Sequence, residues 1–325
     1  MSKEFSGYIA AIEAEISSHR FGEQPKNLYE PIRYIMSLGG KRLRPALTLL
    51  AYRLFAKDAE RITKTAIAVE VFHNFTLMHD DIMDKAPLRR GKPTVHEKWN
   101  MPTAILSGDI MLVKAYELFM GLEPAQLVPA LNYFNTCAAE VCEGQQEDMD
   151  FETRKTVPVE EYIEMIRKKT AVLLGYSLRL GAILAGATEK QGQQLNDFGV
   201  NVGLGFQLMD DLLDVYADAA KFGKQVGGDI ISNKKTWLLI TALKQANPEQ
   251  RKQLDHWLGL DTFDAEEKVA AVKDIYQQLN IKEQTEALIE EYFQKGFAQL
   301  DAIEVGAEDK QPLVDFTNFL ANRDK

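Results

Sequence analysis

Twice in this chain an apolar stretch of helical periodicity ends in Asp-Asp-x-x-Asp. Asp80-Asp81-Ile82-Met83-Asp84 closes the run 62–83, and Asp210-Asp211-Leu212-Leu213-Asp214 closes the run 198–209. At about 3.6 residues per turn, the first and last Asp of each motif stand one turn apart on one helix face. Like charges at that spacing cost a few tenths of a kcal/mol per pair. A solvated helix end accounts for one such motif as readily as a site does. Two copies, each C-terminal to an apolar helix, do not fit surface decoration. Facing each other, they would form a strongly negative pocket, which hard divalent cations neutralise. Mg²⁺ takes oxygen ligands, commonly one or two carboxylates together with substrate phosphates. The pair therefore reads as a clamp for a diphosphate through bridging Mg²⁺.

The rest of the chain agrees with a helical enzyme. Stripes at helical spacing run from residue 9 to residue 322, and alternating β-branched segments are almost absent. No linker or repeat divides the 325 residues. They read as one large all-α domain, 1–325, a helical bundle whose best minor boundary is the dip at 258–263. Apolar residues make up 46 %, ample for a core, and the net charge of -10 argues against nucleic acid and anionic lipid as partners. No run of about 18 apolar residues predicts a membrane span. The N-terminal segment, amphipathic and acidic, does not read as a signal peptide. Cys137 and Cys142 lack a metal or disulfide spacing and read as free thiols. Together these features place the protein in the cytoplasm.

Basic segments accompany the acidic ones. Residues 86–102, with Arg89, Arg90 and Gly91, read as a loop after the first motif. Lys221, Lys224, Lys234 and Lys235 follow the second, and for Lys221 and Lys235 ordinary solvated charge is the preferred reading. Arg forks grip phosphate oxygens bidentately, and Lys acts as a point charge. Gly39-Gly40-Lys41-Arg42-Leu43-Arg44-Pro45 opens a helix. There two glycines let backbone approach a ligand, and helix N–H groups favour anions. Taken alone, that segment fits a simple cap and turn equally well. One diphosphate would then sit on metal and a second on Arg and Lys directly.

These segments occur in a recognisable order: Gly39-Gly40-Lys41-x-x-Arg44-Pro45, Asp80 to Asp84 with Arg89-Arg90-Gly91, Lys169-Thr170, Phe206-Gln207-x-x-Asp210-Asp211-x-x-Asp214, Gly223-Lys224, and Asp229 to Lys234. The set resembles the short-chain trans-isoprenyl diphosphate synthases (polyprenyl synthetases), which include the farnesyl and geranylgeranyl diphosphate synthases. The resemblance implies an all-α isoprenoid-synthase fold with a central cavity, a homodimer and three Mg²⁺ per site. It implies condensation of isopentenyl diphosphate with an allylic diphosphate: dimethylallyl, geranyl or farnesyl. By matching positions, Asp80, Asp84 and Asp210 would ligate Mg²⁺ directly, with Asp81, Asp211 and Asp214 supporting the metals. Arg89, Lys169 and Lys224 would hold the allylic diphosphate. Gly40, Lys41, Arg44, His73 and Arg90 would hold isopentenyl diphosphate. Thr170 and Gln207 would line the reaction centre, and Lys234 would help close it.

His73 lies about two turns before Asp80 on the same face. A lone histidine on an apolar helix is more often a core residue, but the resemblance, whose members carry Gln or His there, implies a substrate contact. Glu70 and His73 also fit the Glu-x-x-His of di-iron bundles, but the second copy that motif requires is missing. Chain length points to Phe75 and Thr76, about 6–7.5 Å along the helix from Asp80. There Phe75 would cross the path of a growing tail and Thr76 would leave room beside it. The resemblance then implies a C20 product, geranylgeranyl diphosphate, with farnesyl diphosphate as the alternative. The competing reading is that Phe75 only packs the core, with the floor set by the helix at 103–120. A class I terpene cyclase is the more distant alternative. It needs no second diphosphate site, so the set Lys41, Arg44 and Arg90 argues against it. A non-catalytic regulatory subunit would have lost an Asp motif, and both are intact here.

Overall fold

The computed structural model describes residues 3–217 and 227–321. In chain order these form α1 (Lys3–Ser18), α2 (Lys26–Ser37), α3 (Leu43–Arg53), α4 (Thr63–Met83), β1 (Leu88–Arg89), β2 (Lys92–Pro93), α5 (Val95–Lys98), α6 (Met101–Glu117) and α7 (Pro124–Thr153). They continue with α8 (Val159–Ile166), α9 (Val172–Leu184), α10 (Glu189–Tyr216), α11 (Gly228–Ile231), α12 (Trp237–Gln245), α13 (Pro248–Leu258), α14 (Ala265–Gln278), α15 (Ile281–Asp301) and α16 (Ala307–Ala321). A 3₁₀ turn (Ala59–Ile62) leads into α4, and a π-helical turn (Arg167–Ala171) joins α8 to α9. The all-α expectation holds. Neither Cys137, which is buried, nor Cys142, which is exposed, is in a disulfide.

Helix starts follow local chemistry. Asn100 accepts a hydrogen bond from the Thr103 N–H, with Pro102 in the first turn of α6. Asn247 and Gln250 form a capping box ahead of α13, with Pro248 in its first turn. Asp264 accepts from the Glu266 and Glu267 N–H groups to start α14.

The chain divides into two compact units: Met1–Thr136 with Leu173–Asn196 and Ala302–Phe316, and Cys137–Val172 with Asp197–Asp301 and Thr317–Lys325. In the first unit α4 packs against α1, α3 and α6. Ala66, Ile67, Ala68, Val69, Val71, Phe72 and Met78 are all buried, so α4 is apolar around most of its circumference, as a core helix must be. The first acidic motif is thus the end of a rigid core element. The second unit packs α8 on α12, α11 on α14, and both α12 and α14 on α15. Residues 258–263 lie inside this unit. There the Lys268 ammonium sits 4.0 Å over the Phe263 ring. Lys268 also donates to Ile231 O (3.2 Å) and Asn233 Oδ1 (2.6 Å), bracing the turn before Lys234.

Residues 86–102 differ from the loop expected there. β1 and β2 pair antiparallel, Leu88 opposite Pro93 and Arg89 opposite Lys92. Arg90 and Gly91 form the two-residue connection with φ of 53° and 72°. Positive φ at both central residues is what a type I′ hairpin turn requires.

Arg42 is the anchor of the Gly39–Arg44 segment. It adopts a left-handed conformation (φ 47°, ψ 35°) at the start of α3 and is 2 % exposed. Its guanidinium donates to Glu13 Oε1 (2.8 Å), Glu70 Oε1 (2.9 Å) and Met36 O (2.6 Å). A buried charge is tolerated only when paired and hydrogen-bonded. This one ties α1, α2 and α4 to the turn that carries Lys41 and to the start of α3, which carries Arg44. Glu70 therefore has a structural partner and no part in a di-iron motif. Replacing Arg42 by Met leaves Glu70 buried without its cation. The expected loss is about 3–5 kcal/mol of unfolding free energy, measured by denaturant titration.

Candidate active site

At the C-terminal end of α4, Asp81 is 2 % exposed and fully engaged. Arg89 donates through Nε to Asp81 Oδ1 (3.0 Å) and Oδ2 (2.9 Å), and through Nη2 to Oδ1 (2.7 Å). Arg89, expected on a diphosphate, thus has a carboxylate partner. Asp80 and Asp84 keep their one-turn spacing, and the Asp84 N–H bonds to Asp80 O at 2.8 Å. Asp81 is thus pinned by an Arg fork, and Asp80 and Asp84 share one helix face.

Beyond β1, Arg90 folds back over the glycine turn. Its guanidinium donates to Gly39 O. A Cβ at Gly40, where φ is 142°, would stand 2.9 Å from Arg90 Nη2. The close approach allowed by the glycines is thus made by Arg90, which delivers a cation beside Lys41 and Arg44. His73 lies among these charges. Burial, then Arg44, Arg90, Arg89 and Arg42 in turn, push its imidazole well below the usual range. A histidine held neutral beside several guanidiniums marks a locus short of negative charge, as expected where an anion binds. The unfolded chain takes up a proton on His73 near pH 6.5 that the fold refuses, so this group costs stability as pH falls through that value. His73→Gln is expected to lessen the acid-side loss of stability between about pH 7 and pH 5. Thermal unfolding measured across that range checks it.

Phe75 is buried, with its ring centroid 5.6 Å from Phe72 and 4.8 Å from His79. Thr76 Oγ1 donates to His73 O at 2.8 Å. His79 Nε2 lies 3.1 Å from Ile105 O, and a Cβ at Gly108 would come within 2.2 Å of that nitrogen. His79 thus packs between α4 and α6.

At the end of α10 the arrangement repeats with different partners. Asp211 is 4 % exposed. It accepts a hydrogen bond from the Tyr162 hydroxyl at Oδ2, and one from Gln207 Nε2 (3.1 Å) at Oδ1. Thr170 Oγ1 in turn donates to Gln207 Oε1 (3.1 Å). Asp214 Oδ2 accepts from the Asp229 N–H (2.8 Å), which fastens α11 to the motif. Lys169 sits in the π turn, where Nζ meets Asp148 Oδ2 at 2.5 Å. A Cβ at Gly144 would lie 2.4 Å from Lys169 N, so α7 needs a glycine there to let the turn pass. Isolated π turns are frequent at functional sites. Gly223 and Lys224 lie outside the described residues.

The electrostatics of this half call for a cation. Burial pushes Asp211 up to about 7; Lys234 opposes the rise, Asp229 adds to it, and the hydrogen bonds from Tyr162 and Gln207 oppose it. Burial likewise pushes Asp229 up to about 6, opposed by Lys234 and reinforced by Asp214 and Asp148. Burial disfavours the charged forms of both carboxylates, and a divalent ion beside them would favour those forms. The donors are all oxygen, which suits Mg²⁺. Among the described residues no three His, Cys, Asp or Glu side chains form a ready cation cage. Phosphate oxygens would have to complete the coordination.

Sequence reasoning had no signal for Tyr162 or Asp148, which lie outside the acidic and basic motifs. It also passed over Arg42, which stands between Lys41 and Arg44.

An all-helical protein whose helices end in partly pinned acidic motifs, beside cationic turns, belongs to the proteins built to hold phosphate esters. The polyprenyl synthetase family model matches residues 25–279, and the chain belongs to that family. A geranylgeranyl diphosphate synthase of Methanosarcina mazei is 37 % identical over 303 residues, covering 93 % of this chain and 91 % of the relative. A geranylfarnesyl diphosphate synthase of Natronomonas pharaonis is also 37 % identical, over 319 residues, 93 % of this chain and 91 % of the relative. A crystal structure of a geranylgeranyl pyrophosphate synthase superposes with a TM-score of 0.92 at 43 % identity, covering all of both chains.

Proposed function

We propose that this protein is a short-chain all-trans prenyltransferase. It condenses isopentenyl diphosphate with allylic diphosphates (dimethylallyl, geranyl and farnesyl) and gives geranylgeranyl diphosphate. The observation that carries the reading is that each acidic motif lies near the end of a helix with its second carboxylate, Asp81 or Asp211, buried and held by protein donors, while Asp80 and Asp84 stand one turn apart on a shared face. The names of the relatives at 37 % and 43 % identity support the substrate class.

In this reading Asp80, Asp84 and Asp210 ligate the metals, three Mg²⁺ per site, while Asp81, Asp211 and Asp214 steady the ligands. Mg²⁺, when bound, supplies Lewis-acid stabilisation of the departing diphosphate. Lys169 and Lys224, with Arg89, hold the allylic diphosphate as its C–O bond ionises. Lys169 exchanges Asp148 for phosphate oxygens when that substrate arrives. Lys41, Arg44 and Arg90, with neutral His73 as a hydrogen-bond donor, place isopentenyl diphosphate so that its double bond meets the allylic cation. Attack leaves a tertiary cation on the isopentenyl unit. The carbon beside it loses a C–H proton to the released diphosphate, the bond's electrons form the new double bond, and no side chain has to act as base. Gln207 and Thr170 line the reaction centre, and Lys234 helps close it against water, which would quench the cation. A homodimer fits the face of α6, where Met101, Ile105, Leu106 and Val113 are exposed and a second copy would cover them. No helix of the described residues is long and apolar enough to cross a membrane.

Incubation with Mg²⁺, isopentenyl diphosphate and, separately, the three allylic diphosphates, followed by mass spectrometry, tests the reading. Elongation to C20 and no further is the expected outcome. Arrest at C15 or passage to C25 refutes the product length and keeps the reaction. Diphosphate release from an allylic substrate without elongation moves the assignment to a terpene cyclase.

A further inference from the structure

Tyr162 belongs to no motif, yet it makes the innermost polar contact of the second acidic motif. It projects from α8, is 1 % exposed, and donates its hydroxyl to Asp211 Oδ2. The other oxygen of that carboxylate accepts from Gln207, which accepts from Thr170 in its turn. Both oxygens of a buried carboxylate are thus occupied by donors from two elements. A carboxylate so held cannot rotate, and neither can the turn of α10 that carries Asp210 and Asp214. The same α8 runs without a break into the π turn that sets Lys169. One tyrosine therefore ties the register of α8, and with it the allylic-side lysine, to the metal motif on α10. Burial, reinforced by Asp211, keeps the phenol protonated and so a donor.

We propose that Tyr162 is a positioning residue for the second acidic motif: its hydroxyl, together with Gln207, fixes Asp211 so that the motif receives Mg²⁺ with a diphosphate in productive geometry. Outer donors that orient metal-binding groups typically influence metal affinity or activity by about 10–100-fold. This inference rests on the reading of Asp210 to Asp214 as metal-binding and goes beyond it by naming what orients it.

The test uses Tyr162→Phe, which removes one oxygen and keeps the ring. Three quantities are measured on the full-length protein: the melting temperature alone, the rise in melting temperature given by Mg²⁺ with inorganic diphosphate, and the Mg²⁺ concentration for half-maximal turnover. The expected result is a nearly unchanged melting temperature without ligand, a clearly smaller rise with Mg²⁺ and diphosphate, and a Mg²⁺ requirement raised roughly tenfold. The KM for isopentenyl diphosphate should move little. A hydroxyl that only stabilises the fold would lower the melting temperature and leave the Mg²⁺ requirement where it was, and that outcome overturns the proposal. Asp211→Asn run in parallel separates the two layers. If it raises the Mg²⁺ requirement and Tyr162→Phe does not, Tyr162 is not the positioning residue. If neither does, the metal reading of the motif fails. In the double variant the effects should be less than additive, because both act on one contact. Should Tyr162→Phe not fold, 3-fluorotyrosine at position 162 keeps ring and hydroxyl and alters only the strength of donation. An unchanged response to Mg²⁺ with diphosphate would then reject the proposal.

Discussion

Asp80→Asn is expected to lower kcat by roughly 10²–10³-fold, the scale seen when one preorganised electrostatic contact to a developing charge is removed. The amide keeps the shape of the carboxylate and discards the charge that would anchor Mg²⁺. Asp210→Asn should behave the same way. Asp81→Asn should not. Its carboxylate is already consumed by the Arg89 fork, with contacts of 2.7–3.0 Å, so its contribution runs through Arg89. Losses for such an outer contact are about 10–100-fold, and saturating Mg²⁺ should recover part of them. Steady-state diphosphate release against Mg²⁺ concentration reads both. Equal, unrecoverable losses in Asp80→Asn and Asp81→Asn would show that the two carboxylates do not divide the work this way.

That ordering was half visible in the sequence. The spacing of Asp-Asp-x-x-Asp sets which carboxylates share a helix face, because 3.6 residues per turn leaves no choice once the helix is granted. The partner of the odd carboxylate was hidden, because it depends on chain reversal. Arg89 reaches Asp81 only because Arg90-Gly91 turns back in a two-residue hairpin. Arg at the first central position of a type I′ turn is not among the residues that announce one. The same holds for Arg42. A Lys-Arg-x-Arg run reads as three interchangeable cations, yet the left-handed backbone at Arg42 sends it inward to Glu13 and Glu70. Tyr162 and Asp148 lie further still from any pattern. Each acts across helices on a partner more than twenty residues away, and helical periodicity carries no register between elements. The π turn at Arg167–Ala171 carries no clear sequence signal, because a slightly underwound turn blurs the stripe without supplying a breaker.

Phe75→Ala is expected to lengthen the product by one isoprene unit, to C25, and to stop there. Phe75 stands about 7.5 Å along α4 from Asp80, and in the proposed reading it crosses the course of a tail that starts at Asp80 and Asp84. The next ring on the same face is Phe72, three residues or about 4.5 Å further on. An isoprene unit adds four carbon–carbon bonds along the chain, roughly 5 Å end to end at ordinary bond lengths. Removing Phe75 therefore opens one unit's worth of depth. Phe72 does not yield easily, because its ring meets Phe134 edge-on at 5.1 Å, and Phe134 is itself packed by Tyr116, Phe119 and Tyr176. The substitution also strips contacts from His79 and Phe72, so a stability loss of about 3–5 kcal/mol should accompany it. Product chain lengths by mass spectrometry decide the matter. A C20 product from a folded Phe75→Ala enzyme would place the floor elsewhere, on α6, and reduce Phe75 to core packing. Products well beyond C25 would mean that Phe72 and its aromatic cluster offer no barrier.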